Sequence, residues 1–185
     1  PAASGQTWGA SWTRSWDTDL GKLTLDGDAA IQSEWNGAGP AADLGYQAAS
    51  VSLTQKGVKG ALGVEILDGA DGRGFTTPLA TLHAFQGWAD VFLNTPATGV
   101  RDLSATLTGK APNFIAHAKP VSWGVGYHDF ASDNAARDLG SEIDAMARLP
   151  LNANFSLEGK VAVFNGDTGG PADRTKFWLA LEASF

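Results

Sequence analysis

The chain ends on ADRTKFWLALEASF, residues 172–185, in which apolar side chains occupy every second position. The apolar series is Phe177, Leu179, Leu181, Ala183 and Phe185. Such alternation is typical of a β-strand with one apolar and one mostly polar face. A terminal strand normally lies at a sheet edge, where unpaired backbone groups invite aggregation unless the sheet closes on itself. We therefore predict that strand 174–185 closes a barrel by pairing with the first strand.

Eight earlier segments are also predicted to be strands, because most of them show the same alternation. They are 6–16, 22–35, 45–55, 58–67, 100–108, 114–130, 139–148 and 153–164. The segment 114–130 is the least regular, because Pro120 cannot donate to a strand ladder. Nine strands in series without an amphipathic helix indicate an antiparallel sandwich or barrel. Alternation alone does not separate a sandwich, with its apolar faces inside, from a membrane barrel, with its apolar face outside.

Composition narrows the class of protein. The chain has 185 residues, enough for one domain over 1–185, a net charge of -7 and no Cys. No apolar run is long enough for a transmembrane helix, and the acidic balance without a basic cluster argues against nucleic acid. The absence of Cys excludes disulfides and thiolate metal sites, which fits the periplasm or outer membrane.

Three features favour the membrane barrel over the soluble sandwich. The polar faces are rich in Gly, Ala, Ser and Thr, as a wet or tightly filled lumen would be. Aromatic residues fall near predicted strand ends at Trp35, Tyr46 and Tyr127, as aromatic girdles do. The terminal Phe185 ends an alternating strand. The predicted fold is an all-β, antiparallel transmembrane β-barrel with about 8–10 strands in this chain, complete or part of a larger barrel.

Between residues 68 and 99 the alternation stops. DGADGRG at 68–74 has the composition of a turn, and a connection of this length without strand character is usually functional. We predict an inserted loop that folds inward and narrows the pore. Its candidate constriction residues are Arg73, His83, Trp88 and Asp90. The alternative interpretation is a structural plug core, formed by Leu79, Leu82, Phe85 and Trp88 at near-helical spacing.

Five motifs carry a resemblance to a known family. They are GFTTPLATLHAFQGWADVFLNTP at 74–96, GVRDL at 99–103, GYHDF at 126–130, DLGSEIDA at 138–145 and DRTKFWLALEASF at 173–185. Together they resemble the carboxy-terminal half of the alginate-export-like family of outer-membrane porins. The resemblance covers roughly residues 44–185, whereas residues 1–43 match only as generic barrel strands.

The resemblance implies a monomeric outer-membrane β-barrel with a water-filled pore. Its partners would be the lipid bilayer, lipopolysaccharide, the barrel-assembly machinery and a small hydrophilic solute or saccharide. Family members are longer and have about twice as many strands, which implies that this chain is part of a barrel. Similarity to outer-membrane proteins in general also implies an assembly signal in the last strand, at Phe177, Leu179, Leu181 and Phe185.

The predicted inward faces carry more acids than bases. The acids are Asp26, Asp28, Glu34, Glu65, Asp102, Glu142, Asp144, Glu158 and Glu182. The bases are Lys22, Lys59, Arg148, Lys160 and Lys176. Nine acids against five bases argue against a polyanionic cargo and predict a preference for cations or neutral solutes.

Two other candidate sites have a simpler explanation. Trp8, Trp12 and Trp16 share one face of the first strand, either as a sugar-stacking track in the lumen or as a membrane-facing girdle beside Arg14. An Arg deep on a lipid face would cost roughly 2–4 kcal/mol, so Arg14 should lie near an interface. Asp68, Asp71 and Asp167 lie in Gly-rich turns and could bind calcium, although Asp is common in turns for backbone reasons.

Three functional hypotheses follow. The first is a passive outer-membrane channel that needs no cofactor. The second is a membrane barrel filled by its own side chains, acting as an anchor or assembly component. The third is a soluble β-sandwich that binds a saccharide. We do not expect an enzyme, because no nucleophile-elbow motif occurs, and the three His residues lack metal-ligand spacing.

Overall fold

The computed structural model describes residues 5–35, 43–77, 86–115, 118–135 and 137–184. These residues form eleven strands and no helix. The strands are β1 (Gly5–Thr18), β2 (Gly21–Glu34), β3 (Leu44–Gln55), β4 (Val58–Leu67), β5 (Gly69–Ala70), β6 (Arg73–Gly74), β7 (Val100–Ala111), β8 (Val121–Ala131), β9 (Asp138–Pro150), β10 (Phe155–Gly166) and β11 (Arg174–Ala183). Within the described ranges there is accordingly no helix that could cross a membrane.

Nine strands form one antiparallel sheet in the order β1-β2-β3-β4-β7-β8-β9-β10-β11. The nine strands predicted from alternation are confirmed. The start of one predicted strand is wrong, and one short hairpin was not predicted. Residues 114–115 and 118–120 are not strand, because Pro120 cannot donate to the ladder and β8 begins only at Val121. Residues 68–74 are more than a turn, because β5 and β6 pair there as a short hairpin around Asp71–Gly72.

The sheet is open in this structure. β1 and β11 form its two edges, and no pairing between described residues joins them. The predicted pairing of the last strand with the first is therefore absent, and β11 pairs only with β10. Phe185 lies outside the described residues. Because nine consecutive antiparallel strands alternate in direction, β1 and β11 run the same way.

The two ends of the sheet differ in their connections. At one end the connections are residues 19–20, 56–57, 112–120 and 151–154, which we call the short-turn end. At the other end they are residues 35–43, 68–99, 132–137 and 167–173, which we call the long-connection end. β11 ends on the short-turn side.

The strand register separates the side chains into two faces. The polar face contains Asp26, Asp28, Ser50, Glu65, Asp102, Ser104, His128, Glu142, Asp144, Lys160 and Lys176. The apolar face contains Trp8, Trp12, Leu25, Val51, Leu62, Leu103, Val125, Ile143, Val161, Phe177 and Leu179.

The buried hydrophobic core lies on the polar face. Its strand residues are Leu44, Leu67, Val100, Phe130, Leu139, Ala162 and Phe164, all near the long-connection end of the sheet. Phe75, Ala89 and Phe92, from the connection between β6 and β7, cover them. This connection is therefore packed against the sheet, on the same face as the charged side chains.

Candidate functional site

Residues 86–92, which we call the docked segment, lie over the polar face of β9. The backbone N–H of Ala89 donates to Glu142 Oε1 at 2.7 Å, and that of Trp88 donates to Asp144 Oδ2 at 3.3 Å. Gln86 and Gly87 have left-handed backbone conformations, with φ of 50° and 78°. Successive N–H groups in such a turn point to one side and form a concavity that suits an anion. Here β9 supplies the anionic groups.

Gly87 permits the close approach between the docked segment and β9. A Cβ atom at this position would lie 2.6 Å from the carboxyl group of Glu142. Its φ of 78° is also a conformation that side-chain-bearing residues rarely adopt. Position 87 therefore favours glycine for its backbone conformation, and a side chain there would also force the carboxyl group of Glu142 to move.

His128 joins two of the acids beneath the docked segment. Its Nδ1 lies 2.8 Å from Asp102 Oδ2, and its Nε2 lies 3.7 Å from Asp144 Oδ2. The imidazole stacks on the ring of Phe130 at a centroid distance of 5.7 Å. Contact with a carboxylate on each side favours the imidazolium form. His128 therefore connects the acid of β7 to that of β9 across the sheet.

Glu65 of β4 extends this network towards the other edge. Its Oε1 accepts from the Tyr46 hydroxyl at 2.9 Å, and its Oε2 accepts from Gln86 Nε2 at 2.6 Å. Glu65 faces Asp102 directly across the β4–β7 pairing. The docked segment is thus held by carboxylates from two separate strands, β4 and β9.

Cationic side chains anchor the far side of the docked segment. Lys176 Nζ lies 2.5 Å from Asp90 Oδ2, and Arg174 Nη1 donates to the carbonyls of Asp90 at 2.6 Å and Ala89 at 3.2 Å. Lys160 Nζ lies 5.6 Å from the centre of the Trp88 ring, within range of a cation–π interaction. β10 and β11 therefore bind the segment with positive charge, whereas β9 binds it with negative charge.

The same connection also contacts β2. The backbone N–H of Thr76 donates to Gln32 Oε1 at 3.0 Å, and the backbone carbonyl of Thr76 accepts from Gln32 Nε2 at 3.1 Å. Phe75 packs on Tyr46 at 5.7 Å, and Phe92 packs on Phe130 at 4.7 Å. The connection thus reaches from β2 to β11 across the polar face.

The predicted constriction residues separate in the structure. Trp88 and Asp90 lie in the docked segment, and both contact the polar face. Arg73 lies in β6, where it is exposed. His83 lies outside the described residues, as do Leu79, Leu82 and Phe85, so the predicted plug core cannot be described beyond Trp88.

Every predicted inward charge lies on the polar face, but the acids differ in exposure. Glu142, Asp144 and Asp102 have relative exposures of only 0%, 1% and 3% beneath the docked segment. Glu34 and Glu182 are exposed, at opposite ends of the sheet. The three buried acids therefore bind protein groups rather than facing solvent.

Apart from the surface beneath the docked segment, the polar face has a groove of about 470 Å³ at its short-turn end. Lys110, Lys119 and Arg148 contribute positive charge to its lining. Arg148 forms an ion pair with Glu182 and lies 3.9 Å from Glu158. Much of the charge of Arg148 is therefore matched within the sheet.

The structure also places the remaining candidate residues. Trp8, Trp12 and Trp16 lie exposed on the apolar face, not on the polar face that a lumenal track would require. Asp68 and Asp167 accept hydrogen bonds from the backbone N–H groups of Gly45 and Thr168. Among the described residues, no group of three or more His, Asp or Glu side chains could hold a metal ion.

One acid at the long-connection end is electrostatically perturbed. Burial and the nearby carboxylate of Asp68 raise the pKa of Asp133, in the connection between β8 and β9, above its usual range, and Arg101 opposes the shift. Acids therefore also cluster outside the strands, at the same end of the sheet as the docked segment.

Sequence reasoning missed several anchoring residues: Gln32, Gln86, His128 and Arg174. The pair Gln86–Gly87 is the part of the sequence that indicates a turn here, because a polar residue followed by glycine is common where the backbone turns left-handed. The partners of these residues are distant in sequence, so no spacing rule could have found them.

Comparison with family models, with curated proteins and with solved structures finds no match to this chain. The resemblance to alginate-export-like porins therefore stays a prediction.

Proposed function

We propose that this chain forms part of the wall of an outer-membrane β-barrel that passes small hydrophilic solutes. The observation that carries the proposal is an inverted arrangement of the sheet. A soluble antiparallel sheet packs its apolar face on the core and exposes the polar face. Here the core lies under a connection on the polar face, and the opposite, apolar face is exposed to its surroundings.

The exposed apolar surface extends over the whole sheet. Its large side chains include Trp8, Trp12, Ile31, Leu62, Leu103, Val125, Ile143, Phe177, Leu179 and Leu181. Leu62, on the interior strand β4, has a relative exposure of 61%. No second layer of described residues covers this face. A continuous apolar surface of this extent is costly in water, and hydrocarbon lipid chains would remove that cost.

Strand parity limits how such a barrel closes. β1 and β11 run in the same direction, so they cannot pair antiparallel with each other. If two copies lay in the membrane with the same orientation, β11 of each copy would meet β1 of the other. These strands also run in the same direction, so they could not pair antiparallel either. Closure with antiparallel pairing throughout therefore requires an odd number of further strands between β11 and β1, which gives the even total typical of bacterial barrels.

The connections support an orientation for the barrel. Bacterial barrels have short periplasmic turns and longer extracellular loops. The short-turn end, where β11 ends, would face the periplasm, and the connection over 68–99 would enter from outside. Phe177, Leu179 and Leu181 would face lipid, in the place expected of an assembly signal.

Burial changes the expected ion selectivity. Three of the nine predicted inward acids, Asp102, Glu142 and Asp144, are buried beneath the docked segment and do not face the open part of the polar face. We therefore expect only a weak preference for cations while the segment is docked, and a stronger one after its release.

A non-conducting barrel is the second candidate. The observation that favours it is the reach of the connection from Gln32 on β2 to Lys176 on β11, which obstructs much of the polar face. Such a barrel would serve as an anchor or an assembly component.

Fractionation followed by bilayer recording tests the proposal. We expect the protein in the membrane fraction, and steady single-channel conductance from detergent-purified protein, with a weakly cation-selective reversal potential in a salt gradient. Extraction by salt without detergent would overturn the membrane assignment and favour the soluble sandwich. Stably folded, detergent-extracted protein without conductance would favour the non-conducting barrel.

A further inference from the structure

Two acids of β9 lie side by side beneath the docked segment. Glu142 and Asp144 are two positions apart on one strand, so both project onto the polar face. Both side chains are almost completely buried, and they accept hydrogen bonds from two consecutive residues of the docked segment, Ala89 and Trp88. Two carboxylates this close cannot both hold a charge cheaply, because the charges repel in a site with little water.

The hydrogen bonds of this pair leave two oxygens unmatched. Glu142 Oε1 accepts from Ala89, and Asp144 Oδ2 accepts from Trp88. Glu142 Oε2 and Asp144 Oδ1 are buried without a hydrogen-bond partner among the described residues. Buried polar atoms without a partner are rare and call for a specific explanation. A proton between the two carboxyl groups would supply the missing donor.

The cationic side chains around the pair already contact other groups. His128 lies between Asp144 and Asp102, and Glu65 adds a further acid beyond Asp102. The other charged groups of the neighbouring elements also contact each other or the segment: Lys160 contacts Glu158 and Trp88, Lys176 contacts Asp90, and Arg174 contacts the carbonyls of Ala89 and Asp90. The imidazolium and two backbone N–H groups can balance one charge on the pair, but not a second.

We propose that Glu142 and Asp144 form a proton-binding site that holds one shared proton while the docked segment covers it. The site makes docking depend on pH. At pH values below those at which the pair loses its proton, the shared proton is present and the segment stays on the sheet. As pH rises, the proton leaves, two adjacent buried charges repel, and the segment loosens. The site itself does not require a pore, and its role as a pore gate that opens on alkalinisation rests on the proposed function.

Hydrogen exchange of the intact protein in detergent measures docking directly. The readout is the protection of the amides of residues 86–92, corrected for intrinsic exchange rates, between about pH 4, where an exposed carboxyl group ordinarily titrates, and about pH 8. Loss of one proton should lower protection by up to roughly tenfold per pH unit across the titration. Glu142→Gln should remove this dependence, because its amide can donate to Asp144 while its carbonyl still accepts from Ala89.

The controls make each outcome decisive. Glu158→Gln, on the same face of β10, should keep the wild-type pH dependence. Asp144→Asn, whose amide can donate to Glu142, replaces Glu142→Gln if that variant does not fold.

The infrared band of a protonated carboxyl group should be present in the wild type near neutral pH and lost in Glu142→Gln. Protection that is flat or increases with pH would overturn the proposal, as would a Glu142→Gln variant that keeps the wild-type band or slope. Conductance plays no part in these readouts, so failure here is distinct from failure of the pore proposal.

Discussion

The carboxylate of Glu142 accepts a hydrogen bond of 2.7 Å from the backbone N–H of Ala89, 53 residues earlier in the chain. This contact fastens the connection between β6 and β7 to the polar face of the sheet. It is made by a main-chain N–H on one side, so the hydrogen bond does not depend on the side chain at position 89, which is small and fully buried in the core. The requirement for a particular residue falls instead on Glu142 and on Gly87, which lets the two segments approach.

Gly87→Ala should release the docked segment. The new Cβ would meet the carboxyl group of Glu142 at 2.6 Å, in addition to the cost of a positive φ. Gly72→Ala is the matched control, because Gly72 has a similar φ of 77° and no atom within 4 Å of its Cβ position. We expect about 1–3 kcal/mol from the backbone in both variants, and about 1–3 kcal/mol more for Gly87→Ala alone. Equal loss of amide protection over residues 86–92 in the two variants would contradict the close contact.

Phe92→Ala should weaken docking more than Leu93→Ala. Phe92 is 5% exposed and packs on Phe130 and Phe164, whereas the adjacent Leu93 is 52% exposed. Truncating a buried Phe costs about 3–5 kcal/mol, and truncating an exposed Leu costs well under about 1 kcal/mol. Hydrogen exchange over residues 86–92 provides the measurement. Similar effects of both variants would show that the segment does not depend on this aromatic cluster.

The pair Asp90–Lys176 should show measurable coupling in a double-mutant cycle. Asp90→Asn and Lys176→Met, singly and together, isolate the interaction across 2.5 Å. We expect a coupling of about 1–3 kcal/mol, because the Asp90 side chain is largely buried. The comparison pair is Glu158–Lys160, at 3.2 Å and more open to solvent on its acidic side, for which about 0.2–1 kcal/mol is expected. A smaller coupling for Asp90–Lys176 than for Glu158–Lys160 would argue that this anchor is weak.

Adjacent substitutions on β7 test the assignment of the two faces. Ala105 and Thr106 are both exposed, but they project to the apolar and the polar face respectively. If lipid covers the apolar face, Ala105→Arg should cost about 2–4 kcal/mol of folding free energy in a bilayer, and Thr106→Arg should cost little. Urea titration of the protein in liposomes, followed by heat-modifiable gel mobility, measures both. In a soluble sheet neither exposed position would be sensitive, so equal tolerance would count against the membrane proposal.

Local sequence determined the strands of this protein. Alternation of apolar and polar residues depends only on the two-residue repeat of a strand, so β1–β4 and β7–β11 could be predicted, most of them with nearly correct ends, although β8 begins later than predicted. The short connections fixed an antiparallel order between neighbours. The same alternation also separated the charged residues from the apolar ones, which is why Glu142, Asp144 and Glu65 could be assigned to one face before their partners were known.

Tertiary structure alone decided how the polar face is used. The partners of Glu142 and Asp144 are backbone amides more than fifty residues away, and no sequence pattern encodes a contact to a main-chain group. Closure of the sheet is likewise a long-range property, and the last strand, despite its regular alternation, does not pair with the first in this structure. The sequence by itself determined the period, the faces and the nine strands of the large sheet, because these depend on neighbouring residues. The fold decided which acids are buried beneath the docked segment, because burial depends on where a distant segment comes to rest.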